Sequence, residues 1–174
     1  MDISIRKCLA EDVNKVGALY DKVTLYLEQN VNYPKWSYKE YPSLEYARSM
    51  NDSGAQYLAE KDGVVVAAFV LNEDPAGNYA KVRWGKSIAE GEYLVIHALA
   101  VDQDHYGEKI GTRVVEFCLK TAREKGYKAV RLDVIPENIP AKKLYLSCGF
   151  KEYGDYDLDR PYDFKYFSMM EFVF

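Results

Sequence analysis

The sequence predicts an α/β (α+β) fold, a mixed central sheet of about seven strands with helices on both faces. Three observations predict it. Two β-rich runs in "AQYLAEKDGVVVAAFVLN" flank Asp62-Gly63, a pair suited to a tight turn that needs positive φ, so they read as an antiparallel hairpin. "YLVIHALAV" (Tyr93–Val101) is apolar on both faces, as a central strand covered on both sides would be. A helical stripe and a further β-rich run follow it, which makes a βαβ crossover. An antiparallel start joined to such a crossover gives a mixed sheet.

Each element has its own warrant. "ISIRKC" (Ile3–Cys8) alternates apolar and polar residues and predicts a first strand. Val13, Val16, Leu19, Tyr20, Val23 and Leu27 recur at helical spacing within Ala10–Asn30, and Glu11 and Asp12 stand at its start, where the helix dipole favours anions. Asn30–Ser43 has two prolines and no clean period, so it is a long aromatic connection or a broken helix. Leu44–Asn51 predicts a short helix, and Ala55–Asn72 is the hairpin. "NEDPAGN" makes a loop before the strand Tyr93–Val101. Ile110, Val114, Val115, Cys118, Leu119 and Ala122 form one stripe of a helix over Ile110–Lys125, and Gly126 stands where a C-terminal cap is common. Lys128–Ile135 is a fifth strand. Ala141–Ser147 is a short helix with Pro140 in its first turn and Gly149 past its end. "FKEYGDYDL" and "DFKYFSMMEFVF" close the sheet. No repeat, linker or low-complexity stretch interrupts residues 1–174, which read as a single domain.

Composition bounds the function. The 174 residues are 48% hydrophobic and 29% charged, with a formal net charge of -4, so an ordinary globular protein is expected. That charge disfavours binding to nucleic acid or an anionic membrane, and a mildly acidic surface suits a cationic acceptor. Cys8, Cys118 and Cys148 are odd in number and widely spaced, which argues against a disulfide framework or a metal site and for a reducing compartment. The start has no signal-peptide core, and no apolar run approaches the ~18 residues of a membrane span. The expectation is a cytoplasmic protein.

"VDQDHYGEKIGTRVVEF" (Val101–Phe117) joins a strand to a helix through two glycines. A helix N-terminus presents unpaired N–H groups and partial positive charge, which suit a phosphate. Gly107 and Gly111 let a ligand approach without a Cβ in the way, Lys109 adds charge and Thr112 a hydroxyl donor. A glycine turn opening an ordinary helix is the plain alternative. A P-loop is excluded because Gly111 precedes Thr112 rather than Lys, and the dinucleotide fingerprint G-x-G-x-x-G is absent.

A second motif decides between these readings. "NIPAKKLYLSCGF" (Asn138–Phe150) follows the fifth strand. With "LAVDQDHYGEKIGT" it resembles the GNAT superfamily of N-acetyltransferases, whose pattern there is Asn-x-x-Ala-x-x-Leu-Tyr-x-x-x-Gly-Phe. Asn138, Ala141, Leu144, Tyr145, Gly149 and Phe150 all match. The first motif departs from the family's Arg/Gln-x-x-Gly-x-Gly/Ala: Tyr106 stands for Arg or Gln, and Lys109 for Gly. Either Lys109 takes positive φ at a cost of about 1 kcal/mol or more, or the backbone there is helical and the side chain faces the phosphates.

The resemblance implies acetyl-CoA as co-substrate, no metal, and direct transfer to a primary amine of a small molecule or peptide. It implies that Tyr106, Gly107, Lys109, Ile110, Gly111 and Thr112 grip the pyrophosphate. The backbone of Leu99, Ala100 and Val101 would pair with pantetheine as an added strand and could supply an oxyanion donor. A sheet-edge homodimer is compatible with the fold. Tyr145 is the candidate general acid, with a core tyrosine as its alternative; Asn138 either bonds pantetheine or caps the following helix. His97 is either a satisfied core histidine or the base, and Glu92, acting through water, is a second candidate base. His105 is expected to be solvated. Tyr33, Trp36, Tyr38, Tyr41 and Trp84 either line the acceptor pocket or pack the core, and Asp155, Asp157, Asp159 and Asp163 either face an amine or form a solvated loop. A non-catalytic acyl-CoA sensor on the same scaffold is the competing function.

Overall fold

The computed structural model describes residues 3–174. In chain order the elements are β1 (Ile3–Lys7), α1 (Val13–Gln29), α2 (Leu44–Asp52), β2 (Gln56–Lys61), β3 (Val64–Asn72), β4 (Tyr93–Val101), α3 (Ile110–Glu124), β5 (Ala129–Val134), α4 (Ile139–Ser147), β6 (Lys151–Asp157) and β7 (Tyr166–Val173). Single 3-10 turns over Ala10–Asp12, Tyr79–Lys81 and Gln103–His105 join them, of which the second falls in a stretch the sequence leaves without an element.

The strands form one seven-stranded sheet in the order β1-β2-β3-β4-β5-β7-β6. All pairs are antiparallel except β4 with β5. The parallel pair is joined through α3, the crossover the sequence predicts. β7 inserts between β5 and β6, so the two closing strands form a hairpin whose second member lies nearer the sheet centre.

Side-chain alternation sends successive residues to opposite faces. Tyr57, Ala59, Ala67, Phe69, Leu94, Ile96, Val130 and Leu132 meet the apolar stripe of α3, formed by Ile110, Val114, Val115, Cys118 and Ala122. Leu58, Ala68, Ala98 and Ala100 face the other way and meet Val16, Leu19, Tyr20 and Val23 of α1. On that same side the segment between β3 and β4 covers Tyr93, Val95, Phe167 and Met169 with Tyr79, Val82 and Ile88. Two ends are capped as local chemistry dictates. Ser43 Oγ accepts from the Tyr46 N–H at 3.2 Å, and Gly126 at φ +82° follows α3.

Candidate active site

The site begins with a defect in the sheet. β4 and β5 pair only between Tyr93–Val95 and Ala129–Arg131. Beyond that the strands diverge, and neither edge has a ladder partner. On its other side β4 carries a bulge: His97 opposes Val70, while Ala100 opposes Ala68. The extra residue is absorbed at Ala98, which sits at φ +47°, a left-handed conformation that costs a non-glycine residue about 1–2 kcal/mol. A cavity of about 920 Å³ occupies the wedge, lined by residues 96–101 of β4, by Asp133 and Val134 of β5 and by Ile135 just after it.

The loop after β4 closes one end of the cavity. The N–H of Arg113 bonds to the Lys109 carbonyl at 3.1 Å, whereas those of Gly107, Lys109, Ile110, Gly111 and Thr112 find no acceptor among the described residues. Five backbone donors therefore stand together at the start of α3. Gly107 holds φ +87° with open space where a Cβ would lie, so dihedral freedom and not packing requires glycine there. Gly111 has the opposite reason: a Cβ there would lie 3.0 Å from Leu144 Cδ2, so its absence lets α3 approach α4. Lys109 takes the left-handed alternative, at φ +60° and ψ +24°. Tyr106 is 55% exposed and meets Tyr26 edge-on at 6.2 Å between ring centroids.

α4 supplies the middle of the cavity wall. Asn138 Oδ1 accepts from the Ala141 N–H at 3.3 Å and caps the helix, leaving its amide nitrogen without a partner among the described residues. Tyr145 is buried, with its ring edge-on to Phe150 at 5.6 Å. Tyr145 is among the residues that line the cavity, its hydroxyl has no hydrogen bond to any described residue, and burial raises its pKa, with Cys118 adding to the effect.

His97 projects into the cavity from the bulge. Its Nε2 lies 2.7 Å from the Asp74 carbonyl and 3.1 Å from Asn72 Oδ1. A carbonyl only accepts, so Nε2 carries the proton and Nδ1, which has no partner among the described residues, is left as an acceptor. Burial lowers the pKa of the ring, with the Asp133 carboxylate opposing. Asp133 is itself occupied. It takes Arg160 Nη1 at 2.7 Å, Arg160 Nη2 at 2.8 Å and the Tyr79 hydroxyl at 2.7 Å.

Tyr33, Trp36, Leu99, Ala100, Val101 and the loop residues Tyr106 to Thr112 other than Glu108 share this cavity with His97, Asn138 and Tyr145. Three expected residues lie elsewhere, and the first, Tyr38, carries Lys39 over its ring at 5.3 Å. Glu92, at the opposite end of β4, pairs with Lys128 on the surface, and that partner holds its carboxyl below the usual range. Trp84 packs on the far side of the parallel pair, against Tyr153 and over the Arg131 guanidinium at 4.2 Å. Glu92 and Trp84 share one cause: they precede the stretch where β4 parts from β5. The acidic segment is engaged outside the cavity lining, with Asp155 of β6 accepting from Ser168 Oγ of β7 at 2.5 Å and Asp159 pairing with Lys81 of the β3–β4 segment. His105 meets Glu108 at 3.1 Å.

Sequence reasoning missed Asp133, Arg160, Tyr79, Tyr46, Tyr162 and Phe164. Asp133 lies in an unremarkable β pattern, and its partners are 27 and 54 positions away, so no local signal marks it. Among the described residues no cluster of three or more His, Cys, Asp or Glu is placed to hold a metal, and no helix is long and apolar enough to cross a membrane.

Several known proteins share this fold. A GNAT-family acetyltransferase from Streptococcus agalactiae superposes with a TM-score of 0.81 at 14% identity, covering 99% of this chain and 95% of that one. A Salmonella typhimurium protein solved with its cofactor acetyl-CoA superposes with a TM-score of 0.68 at 15% identity, covering 98% and 93%. At those identities the likeness speaks for the fold. In sequence, an uncharacterized N-acetyltransferase of Methanocaldococcus jannaschii is 33% identical over 94 residues, 53% of this chain and 41% of that protein. Homo sapiens N-acetyltransferase 8B is 28% identical over 120 residues, 69% of this chain and 52% of that protein. The chain thus spans about half the length of the curated relatives it matches. The model of the acetyltransferase (GNAT) family matches residues 22–150, from within α1 through the cavity-lining β4, α3 and α4, and on that match the chain belongs to the GNAT family.

Proposed function

We propose that this chain transfers an acetyl group from acetyl-CoA to a primary amine of a small molecule or peptide, by direct attack in a ternary complex. One observation carries the reading. A single cavity is lined by Gly107 and Lys109 to Thr112, whose backbone N–H groups have no acceptor among the described residues, and by residues 96–101 of β4, Tyr145 and His97, whose Nδ1 has no partner among the described residues. The donors fit a pyrophosphate, because a helix start attracts anions and Gly107 leaves the approach open. Leu99, Ala100 and Val101 offer strand-like pairing to a pantetheine amide, and the free Asn138 amide nitrogen is a further donor. The cofactor supplies the acyl thioester.

An alkyl ammonium has a pKa near 10.4, so exposing its lone pair at pH 7 costs roughly 4–5 kcal/mol. His97 takes that proton on Nδ1. The nitrogen then forms a bond to the carbonyl carbon, and a β4 N–H donates to the oxygen that gains charge. As the carbon–sulfur bond breaks, the Tyr145 hydroxyl donates toward the departing sulfur. The phenol keeps its proton throughout the neutral range, so it is always in the donor form. The new amide nitrogen gives up its second proton, which solvent relays to the phenolate, and the imidazolium returns its proton to solvent.

The test is CoA release from acetyl-CoA against an amine panel, followed by Tyr145→Phe. The variant should lose about 10²–10⁴ in kcat while still binding acetyl-CoA. An unchanged kcat on a true substrate rejects Tyr145 as the acid. The sensor reading draws on Tyr106 and the strained Lys109 in the phosphate loop, and it predicts binding without turnover of any amine.

A further inference from the structure

The acceptor end of the cavity has its own chemistry, and this inference rests on the acetyl-transfer reading above. Two walls build it. The α1–α2 connection and the first turn of α2 contribute Tyr33, Trp36, Tyr41 and Tyr46, and the β6–β7 connection contributes Tyr162 and Phe164. Within the first wall Trp36 meets Tyr41 at 6.4 Å and Tyr41 meets Tyr46 at 5.0 Å between centroids. Within the second, Tyr162 stacks on Phe164 at 5.2 Å. The first wall is held rigidly: Asn32 clasps the backbone of Trp36 through both its amide atoms, at 2.6 and 3.1 Å.

The buried charges at this end are already committed, and the other cavity-lining carboxylates, Glu40 and Asp74, belong to exposed residues. Arg160 uses Nε on the Ala76 carbonyl at 2.6 Å and Nη2 on the Pro75 carbonyl at 3.0 Å, and both terminal nitrogens on Asp133. That engages four of the five N–H donors a guanidinium owns. Asp133 accepts three hydrogen bonds and has little left for a ligand ammonium. Lys35, at the mouth, lies over the Phe164 ring at 5.3 Å and 4.0 Å from Glu137. The chamber therefore offers π faces and apolar area, but no uncommitted buried charge among the described residues.

We propose that the acceptor is a primary amine carried on an aromatic or bulky apolar body, with no carboxylate beside the amine. The rings take up the body by apolar burial, and their faces attract the ammonium before it gives up its proton. An α-carboxylate would be drawn from water to face Arg160, whose charge Asp133 already cancels, and would stay uncompensated. A polyamine buried to the same depth would leave its second ammonium among rings, because the cavity-lining carboxylates other than Asp133, those of Glu40 and Asp74, belong to exposed residues.

The experiment measures CoA release by the full chain with ethylamine, 2-phenylethylamine, phenylalanine, spermidine and a short peptide with a free N-terminus. The kcat/KM for 2-phenylethylamine should exceed those for ethylamine and phenylalanine by about 100-fold each, as expected for burial of a ring and for an unpaired carboxylate. Trp36→Ala and, separately, Phe164→Ala should each shrink the 2-phenylethylamine to ethylamine ratio at least tenfold. A ratio measured within one preparation is unaffected by the fraction that folds. Preference for spermidine, phenylalanine or the peptide overturns the inference and leaves acetyl transfer standing. No CoA release from any amine, with acetyl-CoA still raising the melting temperature, overturns the transfer reading and this inference together.

Discussion

The Asp74 carbonyl 2.7 Å from Nε2 fixes where His97 takes up a proton, and burial fixes when. Because the folded pKa is depressed, the neutral base persists below the usual histidine value of about 6.5. The kcat/KM should therefore be flat through neutral pH and fall only once acid passes that depressed pKa. In His97→Ala this acid limb should vanish along with most of the rate; a limb that survives the substitution assigns the base elsewhere. The same shift sets a stability trend. Between the folded pKa and about 6.5 the unfolded chain binds more protons than the folded one, so His97 erodes stability as pH falls through that window. His97 was visible in the sequence as a lone polar residue in an apolar strand. Its partners Asn72 and Asp74 were not, since they come from the last residue of β3 and the loop after it, 25 and 23 residues earlier.

Two helix starts set the cavity's width at the level of elements. Lys109 begins α3 in the left-handed region, where a Cβ costs about 1–2 kcal/mol. Lys109→Gly should relieve that and, after the added freedom of the unfolded chain, raise stability by about 0.5–1 kcal/mol in denaturant titrations. Gly107→Ala, at φ +87°, should lower it. A loss of stability in Lys109→Gly would mean that the side chain contributes more than its backbone costs. On the opposite face, α1 and α2 touch through Gly17. A Cβ there would lie 2.7 Å from Leu44 Cδ1 and 3.1 Å from Leu44 Cα, so part of the clash is with backbone. Gly17→Ala gains about 1 kcal/mol of helix propensity yet should still destabilise by about 1 kcal/mol or more, since α2 has to move. Because α2 carries Tyr46, the acceptor KM should rise as well. The helix periods were legible from apolar spacing, but this close approach was not: a glycine inside a helical pattern marks tolerance as readily as contact.

Across the whole molecule, the sheet is paired on both flanks and open at its centre. β4 is fourth of seven strands, yet its edge beyond Val95 has no partner on the β5 side. A ligand that pairs there completes the sheet and binds only the folded state. Acetyl-CoA at 100 times its Kd should therefore stabilise by about 2.7 kcal/mol, a rise of roughly 5–10 °C in melting temperature for a chain of this size. Differential scanning fluorimetry checks it, and no shift at saturating acetyl-CoA would remove the phosphate-loop reading altogether.

The sequence by itself determined the element order, the antiparallel hairpin, the parallel crossover and the loop at the start of α3. Each is written in a local period or in turn residues within one segment, and local rules suffice to read them. The tertiary structure alone decided which side chains share the cavity. It admitted Asp133, Arg160 and Tyr46, which no motif marks, and turned Glu92 and Trp84 away from it. That choice depends on where β4 separates from β5, and the separation follows from a bulge at Ala98 and from packing between residues far apart in the chain. Such contacts are energetic bargains among distant surfaces, and a linear pattern of residue types does not encode their outcome.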